Sequence, residues 1–209
     1  IGIITNFQTE YQIKKLKKLN IDSLIDNIIT SEEVGVEKPH NYIFNYALNI
    51  MKITNPKEVI LIGDNFDHDI TPAINLDIYP FFFNLNGENK INNNYGIFNN
   101  YKFIFDLFNE LNIELNQLED ISKYCGERFD LVQAGGGNIS FKCNNLMFIK
   151  SSGTSLSVIS PKSGYSIINN TELFNYINNT TNLDDDILSN YNIINNNKPS
   201  IETFMHAIL

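Results

Sequence analysis

The feature that most constrains the fold of this 209-residue sequence is the alternation of short apolar runs with helical patterns over its first 83 residues. Helical spacing of apolar residues occupies 11–19 and 40–51, and the apolar runs that flank these segments read IGIIT, NIIT, VILIG and DIYPFFFN. Strand–helix alternation predicts a parallel sheet with right-handed crossovers. Because VILIG is apolar throughout, we expect a central strand that is covered on both faces.

The second half of the chain carries a different pattern. A glycine cluster, QAGGGNIS, precedes two strand-like runs, ISFKC and LMFIK, and a small-residue loop, SSGTS. A polar stretch over 180–198 then leads to Pro199, which we expect to open a final helix. These elements predict a second α/β domain. A short helical pattern at 101–111 and a composition change beyond it place the two domains at 1–111 and 118–209.

Charge and composition exclude several classes of function. The net charge of −9 argues against a nucleic-acid or anionic-membrane partner, because phosphate binding requires clustered Lys and Arg. The sequence has no run of about 18 apolar residues that could span a bilayer. Two cysteines are too few for a disulfide framework, and the sequence begins without the pattern of a signal peptide. We therefore expect a cytoplasmic protein.

Four polar residues follow the predicted strands of the first half: Thr5, Lys38, Asp64 and Asp69. Ligands bind at the carboxyl ends of strands in open α/β sheets. Thr5 offers a hydroxyl to an anion, and Lys38 offers a positive charge. Two carboxylates on one tight loop are costly unless a hard cation such as Mg²⁺ neutralises them. This group of residues predicts phosphate and magnesium chemistry.

The segments IITN, GVEKPHNYIF and LIGDNFDHDI resemble the second, third and fourth motifs of the haloacid dehalogenase-like (HAD) hydrolases. The resemblance implies a Rossmann-like parallel sheet, phosphate binding by Thr5 and Asn6, a catalytic Lys38, and Mg²⁺ held by Asp64 and Asp69. It also implies a nucleophilic Asp on a strand before the second motif, which the chain does not contain. We therefore expect this domain to lack its first strand and to be inactive alone.

The second half offers a further set of candidate residues in its two small-residue loops and near its end. Consecutive glycines let a backbone approach an anion closely and present N–H groups to it. Glu202 and His206 are spaced to share one face of a helix. Each of these features occurs more often for structural reasons than for function.

Together, GGGNISFK, FIKSSGT and KPSIETFMHAIL resemble the class II aldolase/adducin family. The resemblance implies a truncated class II aldolase-like α/β domain, with Glu202 as a general acid/base whose pKa burial can tune toward neutrality. A divalent metal, Zn²⁺ by family resemblance, would polarise the substrate carbonyl through histidines that lie beyond the end of this chain. We expect His206 to be structural. The anion-binding residues implied by the resemblance are Gly137, Asn138, Ser140, Ser152, Gly153, Thr154 and Ser200.

The chain begins within a strand pattern and stops within a helix pattern, so we expect a fragment of a longer protein. The leading hypothesis is a bifunctional enzyme of phosphorylated-sugar metabolism, with small phosphorylated carbohydrates as substrates. The alternatives are a non-catalytic adducin-like binding module and a degenerate remnant without activity. Many class II aldolases are tetramers, so the resemblance leaves room for a homo-oligomer.

Overall fold

The computed structural model describes residues 1–132, 136–193 and 197–209, in two compact units. The first unit comprises residues 1–84 and 94–97, and the second comprises 85–93 and 98–209. The helices are α1 (Thr9–Lys18), α2 (Ser31–Val34), α3 (Asn41–Ile50), α4 (Thr71–Asn75), α5 (Tyr101–Gly126), α6 (Asn170–Asn179) and α7 (Thr203–Ile208). The strands are β1 (Gly2–Thr5), β2 (Asn27–Thr30), β3 (Ile60–Gly63), β4 (Tyr79–Phe83), β5 (Lys90–Ile91), β6 (Gly96–Phe98), β7 (Ser140–Cys143), β8 (Leu146–Lys150) and β9 (Tyr165–Asn169).

The first unit contains the parallel pairing that the sequence predicts. Strand β1 pairs with β2, and β3 pairs with β4, both in parallel register. The two pairs belong to separate sheets within the described residues, instead of one continuous sheet. Helix α3 supplies the core of this unit, because Ile43, Phe44 and Ala47 are buried on its apolar face.

Strand β3 differs from the prediction that it is covered on both faces. Leu61 packs against the core around α3, whereas Ile60 and Ile62 on the opposite face are 48% and 47% exposed. Successive side chains of a strand point to opposite faces, so helix α3 covers only one of them. The run VILIG therefore contains more apolar side chains than the described residues bury.

The second unit is built on the antiparallel sheet β7–β8–β9. The runs predicted as strands, ISFKC and LMFIK, form its hairpin, whereas β9 was not predicted. Helices α6 and α7 contribute to the core beside this sheet. The buried residues of this core are Met147, Ile149, Ile168, Leu173, Leu188, Phe204 and Ala207.

Helix α5 is a single 26-residue helix that runs through the predicted domain boundary. The predicted short helix at 101–111 is its first part, and the helical start near residue 118 is its continuation. The helix belongs to the second unit, so the observed units divide earlier in the chain than the predicted ranges 1–111 and 118–209. In the parts of the chain that the structure describes, no helix combines the length and the apolar character needed to cross a bilayer.

The final helix begins later than predicted. Pro199 forms an isolated antiparallel bridge with Ser151, and α7 starts at Thr203. Two parts of predicted loops lie outside the described residues, 133–135 of the glycine cluster and 194–196 of the polar stretch.

Candidate functional site

Thr5, Asn6 and Lys38 meet near the carboxyl end of β1 in the first unit. The Asn6 side chain accepts a hydrogen bond from the backbone N–H of Lys38 at 2.7 Å and donates to the carbonyl of the same residue at 3.0 Å. These two bonds fix the backbone of Lys38 next to the strand that carries Thr5. The structure therefore brings together residues that lie 32 positions apart in the sequence.

The Lys38 ammonium and the Asp69 carboxylate form an ion pair, with 2.5 Å between Nζ and Oδ1. Both side chains are largely buried, at 16% and 8% exposure. The other oxygen of Asp69 accepts a hydrogen bond from the backbone N–H of Asn65 at 3.2 Å. A buried carboxylate requires such partners, because an isolated charge away from water is strongly unfavourable.

Gly63 allows this arrangement because it has no side chain. A Cβ atom at Gly63 would lie 2.4 Å from Cβ of Asp69 and 2.8 Å from its Oδ2 atom. The last residue of β3 must therefore be glycine for Asp69 to lie against the strand end. The sequence signal for this requirement was the Gly-Asp step at the end of the VILIG run, Gly63 followed by Asp64.

Gln12 on helix α1 is a further residue of this site that the sequence analysis missed. Its amide donates a hydrogen bond to Oγ1 of Thr5 at 2.9 Å. The Thr5 oxygen then acts as an acceptor toward Gln12, which leaves the hydroxyl proton to donate to an anion. In the sequence, Gln12 lies seven residues after Thr5, and this spacing alone does not predict a contact between them.

Asp64 and Asp69 lie on the loop and π-helical turn that follow β3. Asp64 is exposed, whereas Asp69 is buried. Within 1–132, 136–193 and 197–209, no group of three or more His, Cys, Asp or Glu side chains is arranged to hold a metal ion. Mg²⁺ is commonly held by one or two carboxylates with waters and substrate phosphate oxygens, so this pair of oxygen donors fits it.

In the second unit, Asn138 joins Ser200 and Glu202. The Asn138 amide donates to Oγ of Ser200 at 2.9 Å and to Oε2 of Glu202 at 3.2 Å. The Ser200 hydroxyl also donates to that oxygen of Glu202. The structure thus brings the glycine-rich loop and the segment before α7 together across 64 residues.

These hydrogen bonds set the charge state of Glu202. Donation from Ser200, and to a smaller extent from Asn138, lowers the pKa of the Glu202 carboxyl below its ordinary value. The expectation that burial tunes this pKa toward neutrality is therefore wrong, because Glu202 is exposed and accepts hydrogen bonds. At neutral pH the group is a carboxylate that can accept a proton.

Ser140 and His206 form a separate contact, with 2.7 Å between Oγ and Nδ1. Burial lowers the pKa of the His206 imidazole below 6.5, although the nearby Glu202 charge opposes this shift. Lys142 also donates to the carbonyl of Ala207 at 3.2 Å. These hydrogen bonds connect α7 to β7, and a structural role of this kind is the one expected for His206.

A cavity of about 380 Å³ lies beside this group in the second unit. The backbone N–H of Ser152, which lines the cavity, donates to the carbonyl of Lys198 at 2.8 Å. Thr154 is not among the lining residues, and its backbone carbonyl accepts a hydrogen bond from the buried Lys150 ammonium at 2.8 Å. Of the predicted anion-binding residues, Gly137, Ser152, Gly153 and Ser200 line the cavity. Charged residues that the sequence analysis did not select also line it: Lys150, Asp185 and Lys198.

Comparison with known proteins identifies the class of the first unit. Residues 1–82 match the family model of the haloacid dehalogenase-like hydrolases, so this part of the chain is similar to a HAD-like hydrolase domain. The match includes Thr5, Lys38, Asp64 and Asp69, which carried the resemblance in the sequence. The class II aldolase/adducin resemblance of 118–209 stays a prediction.

Particular relatives share this first part. The chain is 42% identical over 73 residues to a glyceraldehyde 3-phosphate phosphatase of Methanocaldococcus jannaschii, covering 35% of this chain and 32% of that protein. It is 36% identical over 84 residues to the pyrimidine 5'-nucleotidase YjjG of Escherichia coli, covering 40% and 37%. The chain therefore spans about a third of the length of these relatives. A magnesium-bound structure of the HAD-hydrolase YfnB from Bacillus subtilis aligns at 21% identity and a TM-score of 0.46, over 52% of this chain and 48% of that one.

Proposed function

We propose that the first unit is the phosphoryl-binding part of a HAD-type phosphatase that acts on small phosphorylated carbohydrates. The observation that carries the proposal is the buried Lys38–Asp69 ion pair, held next to Asn6 at the carboxyl ends of parallel strands. One relative is a glyceraldehyde 3-phosphate phosphatase, which supports the choice of substrate class.

The roles of the residues follow from their contacts. Thr5 donates its hydroxyl proton to a phosphoryl oxygen, because Gln12 already occupies its oxygen as a donor. Lys38 neutralises the charge of the phosphoryl group, and its pairing with Asp69 holds the ammonium in position. Asp64 and Asp69 would hold Mg²⁺, which would supply positive charge next to the phosphoryl oxygens.

The reaction also requires a nucleophilic Asp. Its carboxylate attacks phosphorus while the alcohol leaves, and water then hydrolyses the aspartyl phosphate. Thr5, Lys38, Asp64 and Asp69 already have other proposed roles at this site, so none of them is assigned as the nucleophile. Strands β1 and β3 each have one edge without a strand neighbour among the described residues, and Ile4 and Leu61 from these strands pack against the same core around α3. We propose that a parallel strand carrying the nucleophile lies between them.

The test is Mg²⁺-dependent release of inorganic phosphate from glyceraldehyde 3-phosphate by the product of the whole gene. Asp64→Asn should lower kcat/KM by about 10²-fold, because it removes a charge at the proposed metal. Asp67→Asn is the matched control, since Asp67 is an exposed carboxylate on the same loop. Absence of phosphate release from every sugar phosphate tried, or equal loss in both variants, would refute the proposal.

We propose a second function for the second unit, namely binding of a phosphorylated carbohydrate for class II aldolase-like chemistry. The supporting observation is the cavity that brings Ser152, Gly153 and Ser200 beside the ionised Glu202. Glu202 would accept a proton from the carbon next to the substrate carbonyl. Zn²⁺, the metal that the family resemblance implies, would supply polarisation of that carbonyl when bound.

Two measurements on the product of the whole gene separate this function from its alternatives. A catalyst exchanges the proton next to the carbonyl of dihydroxyacetone phosphate with solvent deuterium, and Glu202→Gln should lower that rate by about 10²-fold or more. An adducin-like binding module binds the phosphate ester without exchange. A degenerate remnant does neither.

A further inference from the structure

The cavity of the second unit is lined by charges of both signs. Lys150 and Lys198 contribute positive charge, and Asp185 and Glu202 contribute negative charge. The formal charge of these four groups is zero. A small inorganic anion that entered the cavity would therefore meet two carboxylates as well as two ammonium groups, and the carboxylates would repel it.

The buried ammonium of Lys150 is held by backbone carbonyls. Lys150 is 4% exposed, and its ammonium donates to the carbonyl of Thr154 at 2.8 Å and toward that of Ser151 at 3.4 Å. An ammonium has three donors, so one remains for a ligand. Ser152 and Gly153 also line the cavity, and together with Lys150 they suit an anionic group.

Asp185 is the middle residue of a run of three carboxylates, residues 184–186. The Asp184 carboxylate accepts from the backbone N–H of Asp186 at 3.1 Å, which caps the helical turn that follows. Asp186 faces Lys198, at 3.9 Å between Oδ1 and Nζ. Asp185 lines the cavity, and its carboxylate has no hydrogen-bond partner among the residues that the structure describes.

We propose that Asp185 is a specificity-determining residue that accepts a hydrogen bond from a hydroxyl group of the ligand. The cavity then takes a phosphate ester that carries a hydroxyl group a few atoms from the phosphate, in preference to inorganic phosphate or an ester without hydroxyls. This inference rests on the anion-binding function proposed for the second unit. The cavity volume of about 380 Å³ lies within the range of small-molecule sites.

The experiment compares two phosphate monoesters of equal charge, ethyl phosphate and glycerol 3-phosphate, the second of which has one more carbon atom and two hydroxyl groups. Their dissociation constants are measured by calorimetry on the 209-residue chain, with EDTA present to remove divalent metals. Glycerol 3-phosphate should bind about tenfold more tightly, because a hydrogen bond to a charged group discriminates by about that factor. The ratio of the two constants removes the contribution of the phosphate, which both probes carry, and the Asp185 variant then separates the hydroxyls from the additional carbon atom.

Asp185→Ala should reduce this ratio to about one, while ethyl phosphate binds as well as before or more tightly because a repulsive charge is removed. Retained binding of ethyl phosphate also shows that the variant is folded. Asp186→Ala is the matched control, since it removes the neighbouring charge, which does not line the cavity. It should keep the tenfold ratio.

The outcomes distinguish failure of the role proposed for Asp185 from failure of the anion-binding function on which it rests. If neither ester binds the unmodified chain, the anion site itself is refuted, and the role of Asp185 falls with it. If both esters bind equally, if Asp185→Ala keeps the ratio, or if the preference appears only when a divalent metal replaces EDTA, the anion site stands and the hydroxyl-binding role is overturned.

Discussion

Gly63→Ala tests whether the position of Asp69 depends on the absence of a side chain at the end of β3. The new methyl carbon would lie 2.4 Å from Cβ of Asp69, whereas carbon atoms in contact are separated by about 3.5–4.0 Å. Asp69 must therefore move by about 1 Å or more. Overpacking of this kind costs about 1–3 kcal/mol. Because the displaced carboxylate also pairs with Lys38, we expect a loss toward the upper end of that range.

The free energy of unfolding is measured by urea titration with far-UV circular dichroism, in a double-mutant cycle with Asp69→Gly. Asp69→Gly removes the atoms that the new methyl group would strike. Gly63→Ala should then cost less than about 0.5 kcal/mol in that background, and the coupling energy should equal nearly the whole effect. An equal cost in both backgrounds would show that backbone properties of Gly63, and not contact with Asp69, decide its presence.

Three further results are expected. Lys38→Met leaves a buried carboxylate without its partner, so unfolding free energy should fall by about 3–5 kcal/mol, whereas Lys14→Met, which breaks an exposed pair, should cost no more than about 0.5 kcal/mol. Ser200→Ala removes the main cause of the lowered Glu202 pKa, so a ¹³C NMR titration of that carboxyl should show a higher midpoint, and an unchanged midpoint would contradict the assigned cause. His206 should titrate below 6.5 by NMR. Because the unfolded state takes up that proton first as pH falls, stability should decrease on acidification below about 6.5, and His206→Gln should reduce this decrease unless the assignment is wrong.

The elements of the first unit were largely predictable because their signals are local. The apolar face of α3 and the run that becomes β3 are visible in single windows of sequence. The order of Thr5, Lys38 and the two aspartates was equally readable, because each follows a strand or turn signal. Gln12 could not be found in this way, since its role depends on how α1 packs beside β1 and not on any spacing in the chain.

Helix α5 runs through the predicted domain boundary, although a signal for its continuity was present in the sequence. The boundary was predicted from a composition change beyond residue 111, where the asparagines have low helix propensity. The apolar stripe nevertheless continues at helical spacing from Leu107 through Leu111 and Leu115 to Leu118. Burial of this stripe outweighs the low propensity of the asparagines, as tertiary packing commonly does.

The charged residues that line the cavity of the second unit could not be predicted from the sequence, for a different reason. Asp185 lies in a polar stretch with no motif, and Lys150 ends a strand that appeared purely structural. Their meeting depends on the bridge between Ser151 and Pro199 and on the turn that carries Asp185. Residues that are about 35–50 positions apart and line one cavity leave no pattern in a single sequence.

The two thiols of the chain provide an internal reporter of local opening. Cys143 is buried at the end of β7, and burial raises the pKa of its thiol to about 11, so only about one molecule in 10⁴ carries the reactive thiolate at neutral pH. Cys125 on α5 is less buried. An alkylating reagent should therefore modify Cys125 first, and the later reaction of Cys143 measures how often the edge of the antiparallel sheet opens to solvent.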